Sequence, residues 1–518
     1  MGRLGKVLGS TAAALLLGAC GTSGGGDGTS SSPGASGSRG VTQGGPQDIA
    51  LFREIVARGE VPAPETLDPV GFFAEHAVDL PPADCGEDAC LHPMLAVAPR
   101  FDGSNWTMAF VGMNSPLDPA TLPRPSLHLV VALERSVHTQ ALWRGAELGI
   151  RVLASRLREG DLLSIVVYGE ETEIVLEGAV PESSAVDDAL LRARALPVAE
   201  RVALYDGLAI SGSVAASAAG AEAARIVLLT SGHADVGITS SDRITGLAAG
   251  LAREGIALGV IGAGGDTYAS ELPRALGDLG AGTFTYATDD ADLDRIFRYE
   301  GDTTLFPLAL DFRMTVQASP GYRVGRIYGA RLATGFADYA VLASPALFLG
   351  HRTGSDDVAG GRRRGGGGLF VELLADPSSG IAAGAPAFTL HASWTAPDGT
   401  TRSSEQTMVN PLAPGQNPAG MWPELSDEAR GNAFMMLNMY LALRAATVFH
   451  DGGDCARGMG VIDMMAPSVE GWQAEYENPD IWADFDLMLE LRGNIAASCT
   501  STSPTPPQGS FGGGCMML

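Results

Sequence analysis

Few side chains in this sequence combine a reactive type with an informative spacing. Glu134, Ser136 and His138 alternate directly after an apolar run, and Ser231 and His233 follow a second apolar run. Carboxylates, hydroxyls and imidazoles are groups that ligate metal ions or transfer protons. These five residues are therefore the first candidates for a functional site.

Enzyme motifs are otherwise absent from the sequence. Its one Gly-x-Ser-x-Gly match, Gly21-Thr22-Ser23-Gly24-Gly25, lies in the Gly- and Ser-rich segment 21–46, and it contains no His-Glu-x-x-His or Gly-x-x-x-x-Gly-Lys pattern. Lys6 is the only lysine, which excludes Schiff-base and P-loop lysine chemistry from the rest of the chain. Gly262-Ala263-Gly264-Gly265 lacks the glycine spacing of a dinucleotide fingerprint and is predicted to be a loop. We expect a protein that is not an enzyme and that needs no cofactor.

The charge of the chain argues against nucleic acid as a partner. Its 518 residues include 60 acidic and 34 basic side chains, for a formal net charge of −26. A body this acidic repels phosphate backbones. The basic run Arg362–Arg364 lies in a Gly-rich insert, His351–Gly368, which we interpret as a solvated hairpin loop rather than an anion-binding patch.

The first twenty residues have the features of an export signal. Arg3 and Lys6 precede a short apolar run that is far below the roughly 20 residues needed to span a bilayer. The run ends in Leu17-Gly18-Ala19-Cys20, which resembles a bacterial lipobox and implies a lipid on Cys20. Residues 21–46 are rich in Gly and Ser and predict a flexible linker. By resemblance to lipoprotein sorting, Gly21 after the cysteine implies the outer membrane, with the lipid as the sole membrane attachment.

The remaining cysteines are consistent with an oxidising compartment. Cys85 and Cys90 are close enough for a small disulfide loop, and Cys455 could pair with Cys499 across a helical region. A zinc site at Cys85 and Cys90 would have His92 nearby but no second matching half. The pairing of Cys515 stays open.

Apolar runs and helical periods alternate in the middle of the chain. This alternation predicts an α/β fold with a doubly wound, mainly parallel sheet of the Rossmann type over residues 125–298. The predicted strands are Leu127–Leu133, Leu162–Val167, Ile226–Thr230, Ile256–Ile261 and Phe284–Tyr286, and the predicted helices are Gln140–Arg158, Leu204–Ala216, Ile244–Arg253 and Leu272–Leu279.

Other patterns flank this segment. Residues 47–124 predict an N-terminal β-rich region and residues 299–425 a β-rich module. Residues 426–499 turn helical, with the clearest periods at Ala433–Val448 and Trp482–Ala497, and 500–518 predict a disordered tail.

Residues 125–298 resemble a von Willebrand factor type A domain. The resemblance rests on Glu134-Arg135-Ser136-Val137-His138, on Ala203-Leu204-Tyr205-Asp206-Gly207-Leu208, and on Ile226–Thr230 leading into Ser231-Gly232-His233. Phe52-Arg53-Glu54 and Gly59-Glu60-Val61-Pro62 are similar to the bacterial exported group labelled Ca-activated chloride channel-like. The flanking β-rich and helical regions resemble the same group.

The resemblance implies a metal-ion-dependent adhesion site that is degenerate here. Family members ligate a divalent cation through Asp-x-Ser-x-Ser, a later threonine and a further aspartate. The corresponding residues are Glu134, Ser136, His138, Val202 and Ser231, of which only Ser136 has the expected type. Since Mg²⁺ demands near-ideal octahedral oxygen geometry, no metal is expected, and Mg, Ca or Mn would bind only if this set were functional.

The resemblance also implies a function and two alternatives. We expect a lipid-anchored cell-envelope protein whose type A domain binds a protein partner in the envelope or at the cell surface. One alternative is divalent-metal-dependent adhesion through Glu134 and Ser136. The other is a metal-dependent hydrolase using Glu134, His138 and His233, because two imidazoles and a carboxylate can form an open transition-metal site. Asp206 and Asp235 are interpreted as helix-start and turn residues.

Overall fold

The computed structural model describes residues 39–500 except 77, 79, 100–104, 119–124, 218–220, 266, 267, 269, 270, 306, 351–366, 377, 380, 397, 411–426 and 477. The strands are β1 (Arg39–Gln43), β2 (Gly45–Pro46), β3 (Cys90–Pro99), β4 (Asn105–Ser115), β5 (Leu127–Glu134), β6 (Leu162–Tyr168), β7 (Thr172–Ala179), β8 (Ala223–Thr230), β9 (Ala257–Ala263), β10 (Thr283–Ala287), β11 (Pro307–Ala318), β12 (Tyr322–Tyr328), β13 (Leu332–Gly335), β14 (Tyr339–Leu349), β15 (Leu369–Ala375), β16 (Pro386–Thr395) and β17 (Thr401–Val409). The helices are α1 (Ala50–Ala57), α2 (Pro69–Ala74), α3 (Trp143–Arg156), α4 (Ser183–Ala195), α5 (Leu204–Ser217), α6 (Ser241–Arg253), α7 (Glu271–Leu279), α8 (Asp290–Leu305), α9 (Asp427–Asp451), α10 (Cys455–Tyr476) and α11 (Pro479–Thr500).

A seven-stranded sheet carries the candidate site. Its order is β2-β10-β9-β8-β5-β6-β7, parallel throughout except for β7, which runs antiparallel to β6. Numbered from β5 and leaving out β2, this is the doubly wound order 3-2-1-4-5-6 read from the β7 side. The predicted α/β fold class is therefore confirmed.

Helices cover both faces of this sheet, which explains the continuous apolar run of β5. Leu129, Val131 and Leu133 pack toward α3, α4 and α8, while Val130 and Ala132 pack toward α5, α6 and α7. Every residue of β5 is buried. A strand buried on both faces has no need of polar alternation.

A second sheet unites the two predicted β-rich regions. Within the described residues it has ten strands in the order β12-β15-β4-β1-β14-β11-β16-β17, with β13 paired to β14 and β3 paired to β4. Strand β4 of the N-terminal region pairs directly with β15 of the later module. Residues 47–124 and 299–425 therefore contribute to one sheet rather than to two separate regions.

The C-terminal helices pack on the N-terminal ones. Apolar residues of α9, α10 and α11 share a core with Phe52, Phe72 and Phe73 of α1 and α2. Arg53 donates to the carboxylates of Glu75 and Asp484, and the His76 ring contacts Asp484 as well. Because these charges are buried, removing one of them would leave the others without a partner. The free energy of unfolding would then fall by about 3–5 kcal/mol.

Both predicted disulfides are confirmed. Cys85 is bonded to Cys90, the first residue of β3, and Cys455 at the start of α10 is bonded to Cys499 near the end of α11. Among the described helices, none combines the length and apolarity required to cross a bilayer. Cys20, Cys515, residues 1–38, residues 351–366 of the Gly-rich insert and the tail 501–518 lie outside the described residues.

The predicted linker 21–46 is wrong for its last eight residues. Strand β1 lies between β4 and β14 in the ten-stranded sheet, and β2 pairs in parallel with β10 in the seven-stranded sheet. This short segment thus joins both sheets.

Buried polar contacts add to the backbone pairing that holds the segment. Gln43 Nε2 donates to the carbonyl of Gly329 at 2.6 Å, and Gln47 Nε2 donates to the carbonyl of Gln43 at 2.6 Å. Val41 is the one large apolar side chain among residues 39–46. The composition therefore resembles a linker, although backbone pairing makes the segment structural.

The placement of β1 and β2 predicts different effects for two N-terminal truncations. Removal of residues 1–38 should leave the Tm of the full chain nearly unchanged. Removal of residues 1–46 should lower the Tm by at least about 10 °C, because it opens the sheet between β4 and β14. Thermal unfolding followed by circular dichroism measures both. Equal Tm values for the two truncations would contradict a structural role for residues 39–46.

Candidate functional site

The site lies at the carboxyl ends of β5 and β8. These neighbouring strands are positions 1 and 4 of the doubly wound order, where the chain switches direction along the sheet. Crevices at such switch points are the usual ligand-binding places of open α/β sheets. Glu134 ends β5, and Thr230 ends β8 with Ser231 following directly.

Glu134 is fully buried and accepts four hydrogen bonds. Its Oε1 accepts from the hydroxyls of Ser136 and Ser231, each at 2.6 Å. Its Oε2 accepts from the backbone N–H of Ser231 at 2.7 Å and from the hydroxyl of Thr230 at 3.1 Å. All four partners are neutral donors, so they stabilise the carboxylate without supplying a positive charge.

The loop after β5 is folded around the same carboxylate. The His138 N–H donates to Ser136 Oγ at 3.1 Å, and Thr139 Oγ1 donates to the Glu134 carbonyl at 2.8 Å. Below it, the Tyr168 hydroxyl donates to the Leu229 carbonyl at 3.0 Å. Burial, and then the charge of Glu134, raise the pKa of Tyr168 well above its usual value.

The two site histidines stack on each other. The ring centroids of His138 and His233 are 4.0 Å apart and the ring planes differ by 1°. His233 Nδ1 lies 3.3 Å from Ser231 Oγ. The structure therefore brings the two imidazoles together above the serine hydroxyls that contact Glu134.

Val202 is hydrogen-bonded to Asp235 of the loop after β8. Val202 is buried, and its backbone N–H donates to Asp235 Oδ2 at 3.0 Å while its carbonyl accepts from the Asp235 N–H at 2.8 Å. Asp206 is exposed in the first turn of α5, beside Gly237 of the loop after β8. Neither aspartate contacts Glu134 among the described hydrogen bonds.

An arginine–tryptophan pair positions the loop after β5. The Arg135 guanidinium lies 4.5 Å above the Trp143 ring and donates to the carbonyls of Leu196 and Arg194 at 2.7 and 2.8 Å. Burial lowers the pKa of Arg135. Sequence reasoning missed Arg135, as well as the donors Thr139 and Thr230, because nothing in the sequence marks contacts between distant loops.

These residues do not fit a hard divalent cation. Both Glu134 oxygens already accept two hydrogen bonds each, and Val202 offers no side-chain oxygen where a threonine is expected. Across the described ranges there is no group of three or more His, Cys, Asp or Glu residues placed to hold a metal ion. The residues present therefore do not suit a metal-dependent step, either for adhesion through Glu134 and Ser136 or for hydrolysis with His138 and His233.

The sheet order and the helices on both faces define an α/β domain like the von Willebrand factor type A fold. No family model matches the chain, and no curated protein matches its sequence. Solved structures do match.

Three of these structures illustrate the range of similarity. A von Willebrand factor type A protein from Catenulispora acidiphila is 14% identical, with a TM-score of 0.47 over 76% of this chain and 90% of that chain. BatB from Bacteroides thetaiotaomicron is 15% identical, with a TM-score of 0.29 over 33% and 96% of the two chains. Proximal thread matrix protein 1 from the mussel byssus, described with a zinc-occupied MIDAS motif, is 15% identical, with a TM-score of 0.29 over 35% and 46%.

The hydrogen bonds to Glu134 predict a stability cost for removing either serine hydroxyl. Ser231→Ala and Ser136→Ala should each lower the free energy of unfolding by about 1–3 kcal/mol, because a buried carboxylate loses a donor that water cannot replace. Urea denaturation measures the change. The exposed Ser213 on α5 is a matched control whose alanine variant should stay within about 0.5 kcal/mol of the unchanged chain. Wild-type stability in Ser231→Ala would show that the carboxylate does not depend on this hydroxyl.

Proposed function

We propose that this chain is an exported, lipid-anchored cell-envelope protein whose type A-like domain binds a protein partner without a bridging cation. The binding face is the carboxyl end of the seven-stranded sheet, around Glu134, His138 and His233. The protein acts by binding, as an adhesion or scaffold module, and carries out no catalysis.

The hydrogen bonds that Glu134 accepts from its own chain support this proposal most directly. In a metal-dependent site, a carboxylate at this place would turn its lone pairs toward a cation. Here the Glu134 oxygens take donors from Ser136, Thr230 and Ser231 instead. The carboxylate therefore holds the loops after β5 and β8 together, which is the structural task that a bound cation would otherwise perform.

The face is also preorganised for contact with another protein. The loop after β8 is fixed by the reciprocal bonds between Val202 and Asp235, and the loop after β5 by Ser136 and Thr139. Val137 projects from the latter loop with 51% of its surface exposed. Rigid loops lower the entropy cost of association, and an exposed apolar side chain beside polar ones suits a protein interface.

Metal independence predicts the outcome of a calorimetric titration. The full chain should show no saturable binding of Mg²⁺, Ca²⁺ or Mn²⁺ up to about 1 mM. A variant that restores the family ligand set, Glu134→Asp with His138→Ser, Val202→Thr and Ser231→Asp, should gain binding. Adding Ser136→Ala to that variant should abolish the gain.

The same titration can refute the proposal. Micromolar affinity of the unchanged chain for any of these ions, lost in Ser136→Ala, would establish metal-dependent adhesion instead. Stoichiometric zinc in the purified protein, lost in His138→Ala or His233→Ala, would point to the metal-enzyme alternative.

The proposed anchor predicts a lipid on Cys20. The two disulfides support an oxidising, exported location, where a lipobox cysteine would be modified. When the full chain is expressed in a bacterium with radiolabelled palmitate, label should accompany the protein in the membrane fraction. Cys20→Ser should remove the label and release the protein, whereas Cys515→Ser should change neither. Label that persists in Cys20→Ser would contradict the anchor.

A further inference from the structure

We propose that the outer face of the ten-stranded sheet binds a neutral polysaccharide, which lies across strands β14, β11, β16 and β17. The ligand stacks on the exposed ring of Phe336 at one end of this face and forms hydrogen bonds with side chains of the other strands. The site belongs to the other sheet, so it is independent of Glu134 and of the protein-binding face proposed above.

The outer face is the side of these four strands that is turned away from the apolar core. Alternate residues of β11, β14 and β16 are buried in that core, among them Phe312, Leu342 and Leu390. The residues between them are exposed or half-exposed, and the side chains of β17 alternate in the same way. Because successive side chains of a strand point to opposite faces, the exposed set forms one continuous surface.

The end of the face at β13 and β14 is apolar, although the solvated face of an antiparallel sheet is usually polar. Leu332 is 51% exposed and Phe336 is 46% exposed. The Phe336 ring stacks on Tyr339, with centroids 4.4 Å apart and planes 19° apart. Since Tyr339 covers one side of the ring and nearly half of Phe336 is still exposed, the other side of the ring is accessible.

Polar side chains continue from this aromatic pair across the neighbouring strands. In the register of the sheet, Tyr339 pairs with Gln317, Gln317 with Thr389, and Thr389 with Thr407. Strands lie about 4.8 Å apart, so this first row extends over about 14 Å. A row of that length has room for several sugar rings.

A second row lies beside the first, two residues further along each strand. It consists of Val341, Thr315, His391 and Glu405. His391 Nδ1 lies 3.1 Å from Glu405 Oε2, and their side chains are 49% and 69% exposed. In the first row, Thr389 Oγ1 and Thr407 Oγ1 share a hydrogen bond of 3.0 Å. The two rows thus present groups that donate and accept hydrogen bonds, as sugar hydroxyls do.

The charge of the face favours a neutral ligand. Arg313, which pairs with Ser393 next to the second row, and Glu405 have opposite formal charges, and Asp338 in the turn before β14 adds a further carboxylate. The face therefore has no excess of positive charge, on a chain whose net charge is −26. Such a surface repels an anionic polymer, and a second copy of the chain is disfavoured for the same reason.

The mixture of side chains distinguishes a polysaccharide from a protein partner. The residues that dominate protein interfaces are mostly Trp, Tyr and Arg, whereas Ser, Thr, Val and Leu are under-represented among them. Here Thr315, Thr389 and Thr407 occupy the centre of the face. A sugar ring has C–H groups on its flat sides and hydroxyls at its rim, so one ligand can use both the Phe336 ring and the threonine hydroxyls.

Native electrophoresis of the full chain in gels that contain a soluble polysaccharide tests the proposal, because binding slows migration. Hydroxyethylcellulose, glucomannan and arabinoxylan are the neutral probes, and polygalacturonate is the acidic one. At least one neutral probe should slow the chain, and polygalacturonate should not. Phe336→Ala should raise the dissociation constant for that neutral probe by about fivefold, the scale of one lost aromatic contact, whereas Phe336→Tyr should retain binding.

Control variants separate the site from general effects of exposed apolar groups and of folding. Leu191 on α4 is 63% exposed, so Leu191→Ala should change the dissociation constant by less than about twofold. The Tm of each variant reports whether the fold is retained. If Phe336→Ala is unfolded, Thr407→Val removes one hydroxyl from the exposed first row and should weaken binding by about threefold.

Every outcome of the electrophoresis decides the proposal. Migration that no neutral probe changes would overturn it, and so would equal retardation of a folded Phe336→Ala variant and the unchanged chain. Weakening of the same size in Leu191→Ala would show that the effect is not specific to this face. Retardation by polygalacturonate alone would overturn the assignment of a neutral ligand. None of these results bears on the metal-independent protein binding proposed for the type A domain, which the calorimetric titration tests.

Discussion

A buried negative charge must be matched by donors, and this constraint organises the domain around Glu134. The carboxylate lies at the junction of β5 and β8, where the loops from the two central strands meet. Its four hydrogen bonds connect a loop near residue 136 with a loop near residue 231. Isolated burial of a carboxylate would be prohibitive, whereas burial with four donors is tolerated and fixes the loops in one arrangement. The stacked histidines, the Val202–Asp235 contacts and the exposed Val137 all depend on those loop positions.

The loops after β5 and β8 can be ordered either by a bound cation or by an internal carboxylate, and the two differ in what they offer a partner. A metal site gains adaptability because an open coordination position can take an exogenous ligand. In the proposed function, an internal carboxylate takes the place of the cation, and binding does not depend on divalent ions. The partner proposed for such a site meets hydrogen-bonding groups and fixed charges instead of a coordination bond.

Much of the fold could be predicted from the sequence because burial on both faces leaves a strong pattern. Strands β5, β8 and β9 appear as continuous apolar runs, and α3, α5 and α6 as helical periods. Edge strand β7 was missed, since its largely exposed residues resemble a loop, and so was α4, whose apolar side chains are mostly alanines. Residues 39–46 were wrongly predicted to be a linker, because their Gly-rich composition gives no sign of the two strands that they form. The candidate site residues could be named from the sequence, but not the hydrogen bonds of Glu134, because its donors lie up to 97 positions away.

The position of β1 has a consequence for the order in which the chain folds. Val41 pairs with Leu349, which is synthesised about 300 residues later. The sheet that needs β1 at its centre therefore cannot close until most of the chain has arrived. During that interval the start of the chain has to remain extended and unpaired, and contacts of such high sequence separation are slow to form. A glycine-rich segment with few apolar side chains is suited to remain unpaired, because it offers little apolar surface for association before the sheet forms.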